Sequence, residues 1–343
     1  MFYVILLLSI LIFAFIKRNI KEKKIIDFTI FVTLSVIYGI RYDVGIDYLQ
    51  YELYYNTSSG VLGDREFLYD QLINLFNYLH IPFWGFSLFI GSIIFYLLYL
   101  IAKNLEIPYE NVIILFIITG LLFVSFNLVR QTIAGLILLF SFRYITRTDF
   151  KKYVGTVVIA GLFHTTAFIF IPFYFIKNLR LNIWLGFILF FLGIILYFSN
   201  ISSTLIRIIT PEKYAGYLDS DYNFTIDAGL GVLFFVFLAI IGWACAPNNR
   251  HKIYPFLLTY VLGYSIFLFT LNSFIVNRLT LYSQLALIAV IPFLFTKKRG
   301  LQNLMFYINL AIIFFFILKF LASIWGIYQG DTQNLKYKTV FSM

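Results

Sequence analysis

Three arginines and an aspartate stand at the ends of apolar runs that lie far apart in this sequence. Arg41 and Asp47 follow the second apolar run. Arg130 follows a later run, and Arg278 precedes another. A guanidinium stays charged at any working pH and makes bidentate bonds to phosphate oxygens. If the three arginines meet, we expect them to bind a diphosphate and to stabilise it as a leaving group.

His164 interrupts another apolar run. Histidine titrates near neutral pH, so an imidazole at this place could take the proton of an attacking hydroxyl group. Asp47 and Glu66 are the other candidate bases. A carboxylate near several arginines has a lowered pKa and is a weaker base, which favours His164. The sequence leaves the choice among these three residues open.

Four residues are candidate substrate contacts: Gln131, Tyr48, Tyr51 and Glu66. The tyrosine rings could stack against sugars, and Gln131 stands directly beside Arg130. The default interpretation of tyrosine at a membrane boundary is the aromatic belt. A single arginine at a helix end is usually a snorkelling anchor. Each residue alone therefore has a purely structural interpretation, and only their convergence would indicate a site.

The composition excludes a soluble globular domain. Apolar residues make up 61% of the chain and charged residues only 12%, about half the charged share of an average domain. Much of the net charge of +10 sits in short links beside apolar runs, where it orients a membrane protein, so it does not predict nucleic-acid binding. With Cys245 as the only cysteine and three scattered histidines, the sequence predicts no disulfide, no metal site and no cofactor.

The apolar runs predict an all-α polytopic membrane protein that forms one domain over residues 1–343. About twelve transmembrane or half-depth segments fit, at 2–16, 25–40, 83–102, 112–126, 132–142, two halves of 153–176, 183–198, 229–246, 253–271, 279–295 and 304–324. The basic link 17–24 predicts a cytoplasmic side. The acidic loops 41–82 and 199–228 predict the opposite, outer side. Within the first loop, residues 66–78 have the apolar spacing of an amphipathic helix on the membrane surface.

The apolar run 153–176 is consistent with the alternation of cytoplasmic basic links and outer acidic loops only if it is broken into two segments. A basic link precedes it and an acidic loop lies beyond the next apolar run, so three crossings are needed where two runs are visible. We predict a break near residues 161–166. Each half then has about 12 residues and spans roughly 18 Å, which is short of the ~30 Å apolar core of a bilayer. The break places His164 toward the outer side.

Five motifs follow one another in order: Arg41-Tyr42-x-Val44-Gly45-x-Asp47-Tyr48-x-x-Tyr51, Glu66-x-x-Tyr69, Arg130-Gln131-x-x-Ala134, Phe163-His164 and Arg278-x-x-x-Tyr282. From about residue 25 to the end, their order and spacing resemble the EpsG-like family of exopolysaccharide and O-antigen polymerases. One position departs from the family pattern, because Ile46 stands where the family often has threonine.

The resemblance implies a Wzy-type polymerase, a glycosyltransferase of the bacterial inner (cytoplasmic) membrane that is broadly similar to the GT-C class. Such multi-pass enzymes join oligosaccharide repeat units carried on undecaprenyl diphosphate, at an active site that faces the periplasm. The expected partners are the lipid-linked oligosaccharide, the bilayer and a polysaccharide chain-length regulator. Within that reaction, Arg41, Arg130 and Arg278 are expected to bind the diphosphate without a metal. The resemblance leaves open whether the product is O-antigen, capsule or exopolysaccharide.

Two other functions remain open at this point. A transporter or flippase of lipid-linked oligosaccharide would also have about twelve spans and cationic residues. Transporters usually consist of two related halves, however, and no internal repeat is visible here. A GT-C glycosyltransferase that adds one sugar from a polyprenyl-phosphate donor is the second alternative. All of these functions depend on the same expectation, that the distant polar groups line one outward-opening site.

Overall fold

A computed structural model describes residues 1–57, 66–178, 251–269, 278–294, 302–329 and 335–341, with four single positions between 179 and 250. Regular structure in these ranges is helical, apart from one isolated antiparallel bridge between Arg41 and Thr339. The chain divides into two compact units. Unit 1 comprises residues 1–143, 151–171 and 295–343, and unit 2 comprises residues 144–150 and 172–294. Each unit is described by itself.

The helices follow one another along the chain with short connections. They are α1 (Phe2–Asn19), α2 (Lys23–Ile40), α3 (Tyr48–Thr57), α4 (Phe67–Tyr78), α5 (Phe83–Leu105), α6 (Tyr109–Ile118), α7 (Leu121–Asn127), α8 (Val129–Thr146), α9 (Phe150–Phe163), a 3-10 helix (Thr165–Asn178), α10 (Tyr254–Phe269), a 3-10 turn (Arg278–Thr280), α11 (Leu281–Leu294) and α12 (Gln302–Gln329).

Three of the described helices are long and apolar enough to cross a membrane: α1, α5 and the part of α12 from residue 310 to 329. Helices α6 and α7 form a fourth candidate if they are one span, bent by 71°. Such helices are those of an integral membrane protein. The predicted segment 229–246, the predicted loop 199–228 and all but four positions of the predicted segment 183–198 lie outside the described residues, so twelve segments remain a prediction.

The bend between α6 and α7 corrects the expectation of one straight segment over 112–126. Helix α6 ends at Ile118, and Gly120 has φ +85°, a left-handed conformation that a side chain would strain. The sequence gives no sign of this bend, because apolar runs lie on both sides of Thr119-Gly120 and a lone glycine is tolerated within a helix.

Two other sequence predictions are confirmed at the level of secondary structure. Residues 67–78 form α4, within the range expected for an amphipathic helix. The run 153–176 is broken where it was expected to be, since α9 ends at Phe163 and a 3-10 helix begins at Thr165. His164 therefore lies at a helix junction. The Phe168 ring packs so closely over Gly161 that a Cβ there would come within 2.5 Å of it.

Close packing of α2 against α5 fixes the centre of unit 1. A Cβ on Gly39 would lie 2.5 Å from Cβ of Leu88, and a Cβ on Gly91 would lie 2.7 Å from Cβ of Tyr38. Small residues let two helices approach in this way, and close backbone packing is a main source of helix association in membranes. The crossing therefore holds Tyr38 in a fixed position one turn before Arg41.

The two ends of α1 and α2 are held by different interactions. At the end we call the Lys17 end, Lys17 Nζ lies 2.5 Å from Asp27 Oδ1 and 2.6 Å from Glu110 Oε2, and all three side chains are largely buried. At the opposite end, which we call the Arg41 end, α1 begins, α2 ends and α5 begins. The basic link 17–24 and the Arg41 loop thus lie at opposite ends of the same helix pair.

A C-terminal strap, residues 335–341, crosses the Arg41 end. Leu335 accepts a hydrogen bond from the Tyr3 hydroxyl at 2.8 Å, and the Tyr337 hydroxyl donates to the carbonyl of Ile37 at 2.9 Å. The rings of Tyr337 and Phe2 stack at 3.7 Å. The polar tail that the sequence shows after residue 329 is therefore a packed part of unit 1.

Unit 2 has a close helix crossing of its own. The Ser283 hydroxyl on α11 donates to the carbonyl of Thr259 on α10 at 2.9 Å. A Cβ on Gly263 would lie 1.4 Å from the Ser283 oxygen, so only glycine fits at this crossing.

Candidate functional site

The loop after α2 needs glycine at Gly45. This residue has φ +102°, and a Cβ there would lie 2.6 Å from Oδ1 of Asn127. The backbone then closes into α3, since Tyr48 N donates to the carbonyl of Gly45 at 3.3 Å and Tyr51 N donates to that of Asp47 at 2.9 Å. The Val-Gly pair of the first sequence motif therefore has a structural reason, which is the close approach of this loop to the end of α7.

Arg41 lies inside this loop and is only 3% exposed. Its Nη1 donates to the carbonyl of Tyr38, and its guanidinium carbon lies 3.9 Å from the centre of the Tyr38 ring and 5.0 Å from that of Phe126. A buried cation–π contact of this kind stabilises by about 2 kcal/mol. Among the described residues, none accepts a hydrogen bond from Nε of Arg41.

Two tyrosines of α3, Tyr48 and Tyr51, make different contacts with neighbouring segments. Tyr48 is 1% exposed, and its ring packs edge-on against Phe83 at 5.4 Å. The Tyr51 hydroxyl donates to the carbonyl of Asn127 at 3.0 Å and also shares a hydrogen bond with Arg130. Burial raises the pKa of Tyr51, and the charge of Arg130 opposes that shift. Tyr51 therefore connects α3 to the first turn of α8.

Arg130 is half-buried in the first turn of α8, and Gln131 beside it is 4% exposed. Besides Tyr51, the Tyr69 side chain and the charge of Glu66 act on the Arg130 guanidinium. Tyr69 responds to two arginines at once: burial raises its pKa, while the charges of Arg130 and Arg41 lower it. The first and third sequence motifs thus meet around Tyr69.

Glu66 and His164 form the closest acid–imidazole contact of the site. His164 Nδ1 lies 2.8 Å from Oε1 of Glu66, with the two side chains 22% and 9% exposed. Nδ1 makes no hydrogen bond in this orientation, and a small ring rotation would align it with the carboxylate. The Thr165 backbone N–H donates to both carboxylate oxygens, at 3.3 Å and 3.1 Å. The carboxylate is thereby held beside the imidazole.

The helix junction explains why His164 can make this contact. His164 N still donates to the carbonyl of Ala160 at 2.9 Å, which ends α9, and its own carbonyl accepts from Ala167 N at 3.0 Å. Thr165 N then points to Glu66 instead of continuing the helix. When a carboxylate accepts a proton-bearing Nδ1, the other ring nitrogen, Nε2, carries the free lone pair that a base needs.

The remaining expected site residues lie as follows. Asp47 is half-buried directly before α3, and its charge acts on Tyr51. Arg278 begins the 3-10 turn of unit 2 and is exposed. Its expected role with Arg41 and Arg130 remains a prediction. Within the described ranges, no group of three His, Cys, Asp or Glu side chains is placed to hold a metal ion.

The geometry brings together motifs that are spread along the chain, and the sequence as a whole matches the family model of the EpsG family over residues 24–339. The chain belongs to the EpsG family. This membership indicates a role in exopolysaccharide biosynthesis. Comparisons with curated proteins and with solved structures found no match.

Three features of this EpsG-family site were not among the candidates from sequence. Tyr69 was seen only as a motif residue, although its place three positions after Glu66 puts both on one helix face. The Asn127 carbonyl, which accepts from Tyr51, had no sequence signal. The C-terminal strap had none either, because a single bridged pair of residues has no periodic pattern.

Proposed function

We propose that this EpsG-family protein is a Wzy-type polysaccharide polymerase. It joins oligosaccharide repeat units carried on undecaprenyl diphosphate, by transferring the growing chain onto the non-reducing end of the next unit. The observation that carries the proposal is the buried Glu66–His164 contact beside Arg130. A base and a fixed cation next to each other are what this transfer requires at the acceptor hydroxyl and at the leaving group.

His164 is the proposed general base. Its Nε2 takes the proton of the acceptor hydroxyl as that oxygen forms a bond to the anomeric carbon of the donor sugar. The bond from that carbon to the diphosphate oxygen breaks, and its electron pair leaves with the undecaprenyl diphosphate. Glu66, held by Thr165 N, orients the ring and stabilises the imidazolium that forms.

Arg130 is the proposed ligand of the leaving diphosphate. Its guanidinium is half-buried and tethered by Tyr51, which supports a defined orientation toward phosphate oxygens. Arg41, at 3% exposure, supplies positive potential from beneath the site. Asp47 sits where its charge acts on Tyr51, so its proposed role is to set the position of that tyrosine and, through it, of Arg130.

The proposed location is the bacterial inner membrane, with the Arg41 end facing the periplasm. The basic link 17–24 at the Lys17 end supports this orientation, since positive links stay in the cytoplasm. The repeat unit on its undecaprenyl carrier and the bilayer are the proposed partners, together with a chain-length regulator. The GT-C architecture is proposed with the function.

The test is polymerisation by the purified full-length protein in liposomes, supplied with undecaprenyl-diphosphate-linked repeat units extracted from host cells. A ladder of products on a gel is expected. A flippase gives no product, and a transferase that adds single sugars gives one step. Arg130→Ala and His164→Ala should abolish the ladder, whereas Arg147→Ala, an exposed arginine in the link after α8, should leave it intact. A ladder that survives His164→Ala removes the histidine from the mechanism.

A further inference from the structure

The C-terminal strap is paired directly with the loop that carries Arg41. Tyr42 N donates to the carbonyl of Lys338 at 3.0 Å, and Val340 N donates to that of Ile40 at 2.9 Å. These two bonds flank the bridged pair Arg41 and Thr339. In this antiparallel pattern the two bridged residues stand opposite each other with their side chains on the same face. Thr339 is therefore the backbone neighbour of Arg41.

Side chains of the strap fasten the same loop at two further points. Lys338 Nζ lies 3.2 Å from Oδ2 of Asp43, which has a positive φ of 50°. An aspartate in that left-handed conformation is strained unless its surroundings hold it. Tyr337 bonds the carbonyl of Ile37 at the end of α2 and stacks on Phe2. The strap thus fastens both the loop and the end of α2.

A continuous series of contacts leads from the strap to the proposed ligand of the diphosphate. Arg41 lies 5.9 Å from the centre of the Tyr48 ring, at the first residue of α3. One turn later on the same helix, Tyr51 shares a hydrogen bond with Arg130. A shift of the loop would therefore move the start of α3 and change the direction in which Arg130 points.

We propose that the C-terminal strap is a positioning segment of the substrate site: it clamps the Arg41 loop and thereby sets α3 and the Tyr51–Arg130 pair. This proposal rests on the proposed function, because it assigns the strap to the same site. Its residues act through Arg41 and Tyr51 and do not contact the substrate. Loosening the strap weakens binding of the lipid-linked repeat unit and, because Arg130 also stabilises the leaving diphosphate, slows the chemical step. The Glu66–His164 contact is held separately by α4 and α9.

Kinetic variants test the proposal. Tyr337→Phe keeps the ring stack but loses the bond to Ile37, and we expect KM for the lipid-linked repeat unit to rise about fivefold, with a smaller fall in kcat. Lys338→Asp should raise KM by about two- to fivefold, and Asp43→Lys in the same chain should restore it. Lys336→Ala, at an exposed strap position, is the matched control and should change neither constant. Unchanged KM in Tyr337→Phe and Lys338→Asp overturns the proposal.

A disulfide cross-link between the strap and the loop distinguishes a strap that positions the site from one that must open for activity. The paired backbone at Tyr42 and Lys338 places Cα atoms at about 5.5 Å, within disulfide range. In a Cys245→Ser background, Tyr42→Cys with Lys338→Cys should form a disulfide seen as a gel shift. Because the cross-link replaces the lost Lys338–Asp43 ion pair, the oxidised protein should have a lower KM than the same variant in the reduced form. Loss of activity on oxidation, with recovery on reduction, would show that the strap must open and would overturn the proposal.

The proposed function and the strap proposal fail in different ways. If wild-type protein makes no ladder, the polymerase function is wrong, whereas the disulfide still reports whether the strap pairs with the loop. If wild-type protein makes a ladder and the strap variants keep the wild-type KM, only the strap proposal is wrong. Thermal midpoints of all variants identify any that have lost the fold.

Discussion

The charge of Glu66 is the feature of the candidate site whose removal has the most defined consequence. Glu66 is 7% exposed, accepts hydrogen bonds from the Thr165 N–H, and places Oε1 2.8 Å from His164 Nδ1. Glu66→Gln keeps the shape of the side chain, but an amide has only one oxygen to accept with and no charge. The amide of Glu66→Gln therefore loses its contact with either the Thr165 N–H or His164 Nδ1. The contact that remains is made to a neutral oxygen instead of a charged one.

The magnitude follows from these two changes. Hydrogen bonds to charged groups contribute about 1.5–3 kcal/mol and neutral ones about 0.5–1.5 kcal/mol. We therefore expect the imidazolium in the transition state to lose about 2 kcal/mol of stabilisation. Because 1.4 kcal/mol is a factor of ten in rate, kcat for polymerisation should fall roughly thirtyfold. KM should change little, since Glu66 is not proposed to bind the diphosphate.

The assay is the initial rate of ladder formation in liposomes with saturating lipid-linked repeat unit. Asp70→Asn is the matched control, because Asp70 lies in the first turn of α4, directly after Glu66 at its N-cap, and accepts a hydrogen bond from Tyr54. It should keep kcat within twofold. Adding Glu66→Gln to the slow His164→Gln enzyme should cost little more, because the two residues act as one unit. A Glu66→Gln enzyme with wild-type kcat would refute the role given to this carboxylate.

Three further predictions concern stability, each measured as a thermal midpoint of the purified protein. Gly91→Ala should destabilise the protein by about 1–3 kcal/mol, because the added Cβ would lie 2.7 Å from Cβ of Tyr38. Its control, Gly155→Ala, has no heavy atom within 4 Å of the added Cβ and should be neutral or stabilising. Equal midpoints for the two variants would contradict the tight α2–α5 crossing. Lys17→Met should cost about 3–5 kcal/mol of stability, because it leaves two largely buried carboxylates unpaired. Adding Asp27→Asn and Glu110→Gln should restore most of that stability. A wild-type midpoint in Lys17→Met alone would contradict the ion triad. Burial, with the charge of Asp43, raises the pKa of Glu52 above its usual 4.5, so its contribution to stability is full below pH 4.5 and is lost as the pH rises through the higher value of the folded state. Glu52→Gln should therefore have a higher midpoint than the wild-type protein at pH 7 and an equal one at pH 4. A midpoint below that of the wild type at pH 7 would contradict the raised pKa of Glu52.

The sequence predicts the parts of this fold that depend on local pattern. Apolar runs locate α1, α2 and α5 to within a few residues, and the alternation of basic and acidic links locates the break at His164. Local pattern is sufficient here because helix hydrogen bonds and hydrophobic length are properties of one segment. The bend at Gly120 escapes this reasoning, because its cause is a backbone angle and not a change in polarity.

For the site, the sequence identifies residue types but not their surroundings. It names Glu66 and His164 as alternative bases, whereas the structure places the two side chains in contact. It groups Arg41 with the exposed cations, although Tyr38 and Phe126 enclose it. Whether an arginine is open or enclosed is decided by side chains from distant segments, and such contacts leave no trace in the spacing of nearby residues.

Pairing between the strap and the Arg41 loop has a consequence for biogenesis. The Tyr337–Ile37 hydrogen bond joins residues separated by 300 positions. At about 5–20 residues per second, a ribosome needs roughly 15–60 s to make the intervening chain. During that interval the nascent loop is in or at the membrane without its partner strand. The Arg41 loop therefore acquires its final form only after α12 has been inserted, so assembly of this end is among the last events in the maturation of the protein.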